Sequence, residues 1–243
     1  MNTNENLKQL HDLKLQGMKR SYQALLDLPL DKQPEGHQLL SLLIQAESQH
    51  RQLQRTDMLL RLAKLRYRAS LDQIICSPLR NLSKDAIAIL ADCTFIQKGK
   101  NILITGATGS GKSYLGCALG HRACLMGFKT LYLNMNRFFE RLAQAKLDGS
   151  FIKLLNQLEK VNLLILDDFG LQPLNQNVRI ALLQILEDRY QLKSTIICSQ
   201  LPLNMWYDYI NEPTIADAII DRLAENAHRI ELKGESLRNK KNN

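Results

Sequence analysis

Long apolar runs are missing from this chain of 243 residues. Its uninterrupted hydrophobic stretches last only a few residues, where a membrane-spanning helix needs about twenty, so no membrane segment is expected. The opening Met1-Asn-Thr-Asn-Glu-Asn has neither the basic nor the apolar part of a secretory leader. Five cysteines, odd in number and without Cys-x-x-Cys spacing, argue against a disulfide framework or a thiolate zinc site. These absences predict a cytoplasmic protein with reduced thiols. Aromatic residues make up only 6%, so stacking on single-stranded bases is not the expected mode of any nucleic-acid contact. Carboxylates are in deficit, 24 against 32 lysines and arginines, and the resulting charge of +8 suits a polyanionic partner without specifying one.

What the chain does have is Asn101-Ile-Leu-Ile-Thr-Gly-Ala-Thr-Gly-Ser-Gly-Lys-Ser113, a short apolar strand running into a complete phosphate-loop pattern. Gly106, Gly109 and Gly111 permit backbone conformations that a Cβ blocks. The proline-free run 111–126 predicts a helix whose N-terminus faces the loop, so its amides and positive end create a site for a chain of phosphates. Gly106, Ala107, Thr108, Gly109, Ser110, Gly111, Lys112, Ser113 and the adjoining Tyr114 are therefore the expected residues for binding a nucleoside triphosphate, and the loop alone does not separate kinases, GTPases and ATPases. Lys112 places a cation near the β- and γ-phosphates, and the Ser113 hydroxyl is an expected Mg²⁺ ligand.

A second apolar run, Val161-Asn-Leu-Leu-Ile-Leu-Asp167-Asp168, ends in two carboxylates. Continuous apolarity fits a central parallel strand covered on both faces, and its C-terminal end would share a sheet edge with the phosphate loop. Asp167 is the expected carboxylate for Mg²⁺, directly or through the second sphere. Asp168 is expected to orient and polarise the attacking water.

The pattern divides the chain. Residues 1–68 read as all-helical, 69–100 as a connector with Ser83 capping a short helix over 84–92, and 101–243 as alternating strands and helices of a parallel α/β domain. Strands are expected at 102–105, 129–133, 163–167, 195–198 and 228–232. Helices are expected at 136–147, at 176–192 behind an Asn175 cap, and from 213 to about 223. Between 51 and 68 stand Arg51, Arg55, Arg61, Lys64, Arg66 and Arg68 against Asp57 alone. This basic stretch is the expected double-stranded DNA contact. Ser199, or Gln200 beside it, closes the fourth strand and is expected next to the γ-phosphate.

The ordered set resembles a family. The phosphate loop, Leu-Asp-Asp-Phe-Gly at 166–170, Ser-Gln-Leu-Pro at 199–202 and Asp-Arg-Leu at 221–223 fall in AAA+ order, and the chain looks like the IstB-type helper ATPases of insertion sequences. Those are similar to the helicase loader DnaC, and the resemblance covers nearly the whole chain. Asp167-Asp168, where many AAA+ proteins have Asp-Glu, is similar to the initiator and loader branch. The resemblance implies an AAA+ core without a C-terminal helical lid and a small helical N-terminal domain. It also implies a homo-oligomer formed with ATP and DNA, and a transposase as partner. Arg222 becomes a candidate arginine finger for a neighbouring subunit's ATP, with Lys112, Asp168 and Ser199 completing the catalytic set. Arg238 is similar to a C-terminal motif arginine. A DnaC-like helicase loader is the alternative implied function. A small-molecule kinase is disfavoured, because no second substrate pocket is apparent.

Overall fold

Each stretch expected to be a strand is one: β1 (Ile102–Gly106), β2 (Thr130–Asn134), β3 (Leu163–Phe169), β4 (Ser194–Ser199) and β5 (His228–Leu232). In the computed structural model, which describes residues 3–237, they form one parallel sheet in the order β2-β3-β4-β1-β5. Arg238 lies outside the described residues. Successive side chains of a strand point to opposite faces. Accordingly Ile102, Ile104, Leu163 and Ile165 enter one apolar cluster while Leu103, Leu164 and Leu166 enter the other. Both faces are covered, which is why these strands read as unbroken apolar runs.

The helices are α1 (Thr3–Asp12), α2 (Gln16–Leu26), α3 (Gly36–Ala63), α4 (Lys84–Ala91), α5 (Thr94–Gln97) and α6 (Lys112–Leu125), then α7 (Met135–Leu147), α8 (Phe151–Glu159), α9 (Gln176–Arg189), α10 (Trp206–Ile210) and α11 (Pro213–Ala224). Ser83 caps α4 by accepting from the Ala86 amide at 3.0 Å, and Asn175 caps α9 through the Val178 amide at 3.0 Å. Helices α4, α5 and α6 cover one face of the sheet, and α7 to α11 cover the other. Helix α6 lies close to the strands because it carries glycine where they meet. A Cβ on Gly120 would stand 2.7 Å from Ile165 Cδ1 and 3.0 Å from Leu65 Cδ2.

The chain falls into two compact units, Met1–Met58 and Leu59–Asn243. The stretch 69–100, which reads as a connector, contributes Ala69, Leu82, Ile87, Leu90, Phe95 and Ile96 to the same core as β1 and α6. Its alternation of short helices and turns hides that packing from a periodicity argument. Within the first unit, α2 and α3 are tied by a buried carboxylate. Glu47 on α3 accepts the Gly17 and Met18 amides at 2.7 and 3.2 Å, satisfying the first turn of α2, whose N-cap Leu15 offers no side-chain acceptor. Gly17 permits the approach, since a Cβ there would stand 2.5 Å from the Ala46 carbonyl oxygen. Burial pushes the Glu47 carboxyl up, but Arg51 and the two amides outweigh it and hold the pKa below its ordinary value.

One buried cation joins three elements of the second unit. Arg189, 1% exposed, donates to the Leu158 and Val161 carbonyls at 2.7 and 2.9 Å, to the Ser194 carbonyl at 2.5 Å, and to Thr195 Oγ1 at 3.2 Å. It thereby closes the end of α8 and the starts of β3 and β4. Burial without a carboxylate pulls its pKa down, and these oxygens are what hold the charge. Replacing it with an isosteric apolar chain leaves several buried carbonyls unpaired, each worth about 1–3 kcal/mol. Arg189→Met is expected to lose about 2–5 kcal/mol in urea unfolding, seen as a lower midpoint with unchanged slope. A midpoint equal to that of the parent chain would mean the guanidinium carries no weight in the fold.

Candidate functional site

The phosphate loop leaves β1 at the carboxyl edge of the sheet and turns directly into α6. Gly106, Gly109 and Gly111 all have φ between +82° and +143°, the region that glycine adopts without strain. Space is also short: a Cβ on Gly106 would lie 2.2 Å from the Leu232 carbonyl oxygen, and one on Gly109 would lie 2.2 Å from Ser236 Oγ. The loop is held from outside by Arg80, which donates to the Ser110 carbonyl, and by the Leu237 amide on the Gly109 carbonyl at 3.0 Å. Thr108 Oγ1 donates to Gln200 Oε1 at 2.8 Å. Lys112 is almost buried, and its Nζ donates to the Gly106 and Ala107 carbonyls at 2.8 Å each. Ser110 Oγ is buried without a hydrogen-bond partner among the described residues. A concave loop with an unpaired hydroxyl, a lysine and a helix N-terminus suits a phosphate chain.

Beside the loop lies a cavity of about 430 Å³, within the range of small-molecule sites. Thr108, Gly109, Gly111, Lys112, Ser113 and Tyr114 line one side, and Tyr67, Ile74, Ile75, Leu82, Leu232 and Leu237 give it an apolar wall. Tyr114 donates to Gln73 Oε1 at 2.5 Å and packs against the Tyr67 ring at 6.0 Å. The phosphate-loop pattern locates the polar side of this cavity. Its apolar side comes mostly from residues 67–82, which carry no motif, with Leu232 and Leu237 completing it.

The carboxylate pair sits at the same edge. Register shifts between Leu166 and Phe169, where two residues of β3 stand against one of β4, and Asp168 takes φ +61°. This bulge brings both carboxylates to one guanidinium nitrogen: Arg66 Nη1 lies 3.8 Å from Asp167 Oδ2 and 3.5 Å from Asp168 Oδ2. Asp167, 1% exposed, accepts Ser113 Oγ at 2.9 Å on Oδ1 and the Tyr132 hydroxyl at 2.6 Å on Oδ2. Asp168 Oδ2 accepts Asn134 Nδ2 at 2.5 Å. Burial first, and then Asp167, raise the Tyr132 pKa, keeping the phenol a donor. A hydroxyl and one carboxylate within hydrogen-bonding distance fit Mg²⁺, which takes few protein oxygens and draws the rest of its shell from substrate phosphates and water.

Four of these partners are missed by motif reasoning or assigned elsewhere by it. Tyr132 in the middle of β2 and Asn134 at its end become partners through the pairing with β3 (Asn134 opposite Asp167), which is not written in a sequence. Arg80 is remote in the chain from the loop it supports. Arg66 belongs to the stretch expected to meet DNA, yet its guanidinium stands at the acid pair. Ser199 is fully buried: its Oγ donates to the Phe169 carbonyl at 2.8 Å and accepts the Leu201 amide at 3.0 Å. Gln200, one residue on, is the side chain that reaches the loop and lines the cavity.

Arg222 lies at the other edge of the sheet. Asn101, just before β1, donates from Nδ2 to the Arg222 carbonyl at 2.9 Å, whereas the phosphate loop follows the far end of that strand. The Arg222 guanidinium pairs with Glu187, donates to the Ala218 carbonyl at 3.1 Å and lies over the Tyr190 ring at 5.8 Å. The remaining basic residues Arg51, Arg55, Arg61, Lys64 and Arg68 are all exposed, and Arg51 pairs with Glu47 at 2.7 Å. No helix among the described residues is long and apolar enough to cross a membrane.

Residues 8–243 match the family described as IstB-like ATP binding protein. The chain is 43% identical over 232 residues to insertion sequence ATP-binding protein y4pL of Sinorhizobium fredii (strain NBRC 101917 / NGR234), spanning 96% of this chain and 95% of that protein. It is 27% identical over 229 residues to the ATP-binding protein of insertion sequence IS21 from Pseudomonas aeruginosa, spanning 94% and 86%. Among solved structures, the DnaC helicase loader aligns with a TM-score of 0.58 at 22% identity, over 70% of this chain and all of that one. Replication initiator DnaA, bound to AMPPCP and single-stranded DNA, aligns with a TM-score of 0.58 at 20% identity, over 71% and 52%. These two likenesses place the sheet and its helices in the AAA+ fold. With a phosphate loop, a hydroxyl–carboxylate pair at its side and a sequence match that runs from residue 8 to the last, the chain belongs to the IstB-like ATP binding protein family.

Proposed function

We propose that this protein hydrolyses ATP between subunits and uses the cycle to hold and release double-stranded DNA for a transposase. The observation that carries the reading is the division of labour between the two sheet edges. Lys112, Ser113, Asp167 and Asp168 gather at one, and the finger candidate Arg222 stands at the other, out of reach of its own chain's phosphate loop. In hydrolysis a water oxygen attacks the γ-phosphorus and the bond to the β–γ bridging oxygen breaks, giving ADP and phosphate. Asp168 orients that water and takes its proton. Lys112 leaves the loop carbonyls for the β- and γ-phosphate oxygens, and Gln200 registers the γ-phosphate. Mg²⁺, held by Ser113 and Asp167, would supply charge neutralisation on the phosphates. Relatives named for insertion sequences support a transposition role over helicase loading, the alternative, which shares the fold.

Lys112→Ala is expected to abolish ATP-dependent DNA binding in a filter or anisotropy assay. Asp168→Ala is expected to bind ATP normally, to lose roughly 10²- to 10⁴-fold in turnover, and to stay on DNA far longer than the parent chain. Release from DNA at the parent's rate would remove Asp168 from its role.

A guanidinium supplied by a neighbouring subunit is typically worth roughly 10³- to 10⁵-fold in turnover. Arg222→Ala and Lys112→Ala chains, each inactive alone, are expected to recover part of the activity when mixed, because some interfaces then combine one intact half from each. Mixed oligomers of verified composition that show no recovery would argue against action across the interface.

For DNA, the candidates away from the acid pair are Arg51, Arg55, Arg61, Lys64 and Arg68, all of them exposed. Each phosphate contact contributes about −0.9 to the slope of log affinity against log salt, so Arg55→Ala combined with Arg68→Ala is expected to flatten it by up to roughly 2. The loss should be similar across DNA sequences, since phosphate contacts carry no base code. An unchanged slope would move the DNA site to Arg137 and Arg141 on α7.

A further inference from the structure

We infer that Arg80 and the Leu237 amide are positioning groups that hold two peptide planes of the phosphate loop in the orientation that accepts a β-phosphate; the inference rests on the reading of 106–113 as the phosphate site. Glycine makes this loop adaptable and also ambiguous. The planes 109–110 and 110–111 each have a glycine at one end, Gly109 at φ +82° and Gly111 at φ +95°, and glycine takes either sign of φ at similar cost. Such a plane can turn over, which puts a carbonyl oxygen where an N–H faced the phosphate and spoils an anion site made of backbone amides. In a trans peptide the carbonyl and the N–H lie on opposite sides, so a donor that holds the one also aims the other. The Leu237 amide holds the Gly109 carbonyl at 3.0 Å, which leaves the Ser110 amide on the Ala107 carbonyl at 3.2 Å and closes the turn. Arg80 Nη2 holds the Ser110 carbonyl, which leaves the Gly111 amide on the far side, at the N-terminus of α6 with the amides of Lys112 and Ser113.

Both donors are fixed, and each by the other's segment. Residues 77–82 close on themselves through a bridge between Ser77 and Leu82, with one tight turn at Pro78–Arg80. The Lys233 amide, just past β5, donates to the Arg80 carbonyl at 3.2 Å, and Asn81 Nδ2 donates to the Glu231 carbonyl at 2.9 Å. Since β5 pairs with β1, from which the loop departs, this frame stands on the same sheet as the loop it holds. Missing side chains admit the two donors. A Cβ on Gly111 would lie 3.1 Å from Arg80 Nη2 and 3.4 Å from Leu237 Cδ1. Lys112 is engaged differently: its Nζ must leave the Gly106 and Ala107 carbonyls to meet phosphate, whereas Arg80 and Leu237 hold carbonyls that need no release.

The test measures binding of Mg²⁺-ADP and of AMP, by calorimetry, to the full chain and to Arg80→Met, Arg80→Gln, Leu237→Pro and Leu237→Ala, each checked for native thermal unfolding. Arg80→Met, and the milder Arg80→Gln, whose side chain is too short to reach Ser110, are expected to weaken ADP by roughly 10- to 100-fold. AMP, which has no β-phosphate, is expected to lose less than about threefold in the same variants. Leu237→Pro removes the amide donor and no charge, and is expected to reproduce the split with a loss of roughly three- to tenfold for ADP alone. Leu237→Ala keeps the amide and trims the apolar wall, so ADP and AMP are expected to change by the same factor. A ratio of ADP to AMP affinity that stays at the parent's value in both Arg80 variants, or in Leu237→Pro, overturns the inference, as does the same split in Leu237→Ala. A parent chain that binds ADP no more tightly than AMP overturns the reading of the loop as the phosphate site, and that result is distinct from a parent that prefers ADP and variants that prefer it equally.

Discussion

In a regular strand Asp167 and Asp168 would project from opposite faces of the sheet, and one of them would be buried among apolar side chains. The extra residue at the end of β3 removes that conflict by turning the backbone once, at Asp168. A non-glycine residue at positive φ costs on the order of 1–3 kcal/mol, least for Asp and Asn, whose short polar chains find partners locally. The surroundings offset it. Phe169, next in the chain, is fully buried between the Trp206 and Tyr209 rings at 4.8 and 5.1 Å and fixes the strand beyond the bulge. Asn134 fixes the Asp168 side chain before it. The site therefore depends on a strained residue clamped from both sides.

Asp167 obeys a different constraint. A carboxylate this deeply buried needs donors on both oxygens. Tyr132 supplies one, and because burial keeps that phenol protonated it serves as a permanent donor. Oδ2 is thereby occupied and Oδ1 is left facing Ser113, so an apolar strand at the far side of the sheet from the phosphate loop decides where the carboxylate points.

Much of this was legible in the sequence, for identifiable reasons. Parallel strands buried on both faces must be largely apolar, so β1 to β4 stood out, and the loop and acid pair marked two of their exits, whereas the edge strand β5 alternates exposed and buried residues. Asn175 and Ser83 announced their helices because a cap acts within four residues. What stayed hidden depends on strand order or on distant pairing. Asn134 becomes a partner of Asp168 only because β2 lies beside β3, and Arg80 reaches Ser110 across 30 residues of chain. The bulge itself left no mark, since Asp-Asp in a straight strand reads the same. Arg66 was counted with its neighbours as part of a charge run, but a count of charges does not register which of them have partners inside the protein.

Two guanidiniums stand at opposite edges of the sheet, and the placement of Arg222 is what the proposed cycle between subunits requires. The five residues of β1 span roughly 16 Å, and Arg222 is anchored by Asn101 at the end remote from the loop. On the proposed reading it is freed from Glu187 to serve a nucleotide presented by another subunit. Arg66 stands at the acid pair of its own chain, 3.5 Å from Asp168 and 3.8 Å from Asp167. On the proposed reading the isolated subunit lacks the cation that would stabilise the transition state, and a neighbour supplies it, so hydrolysis answers to assembly.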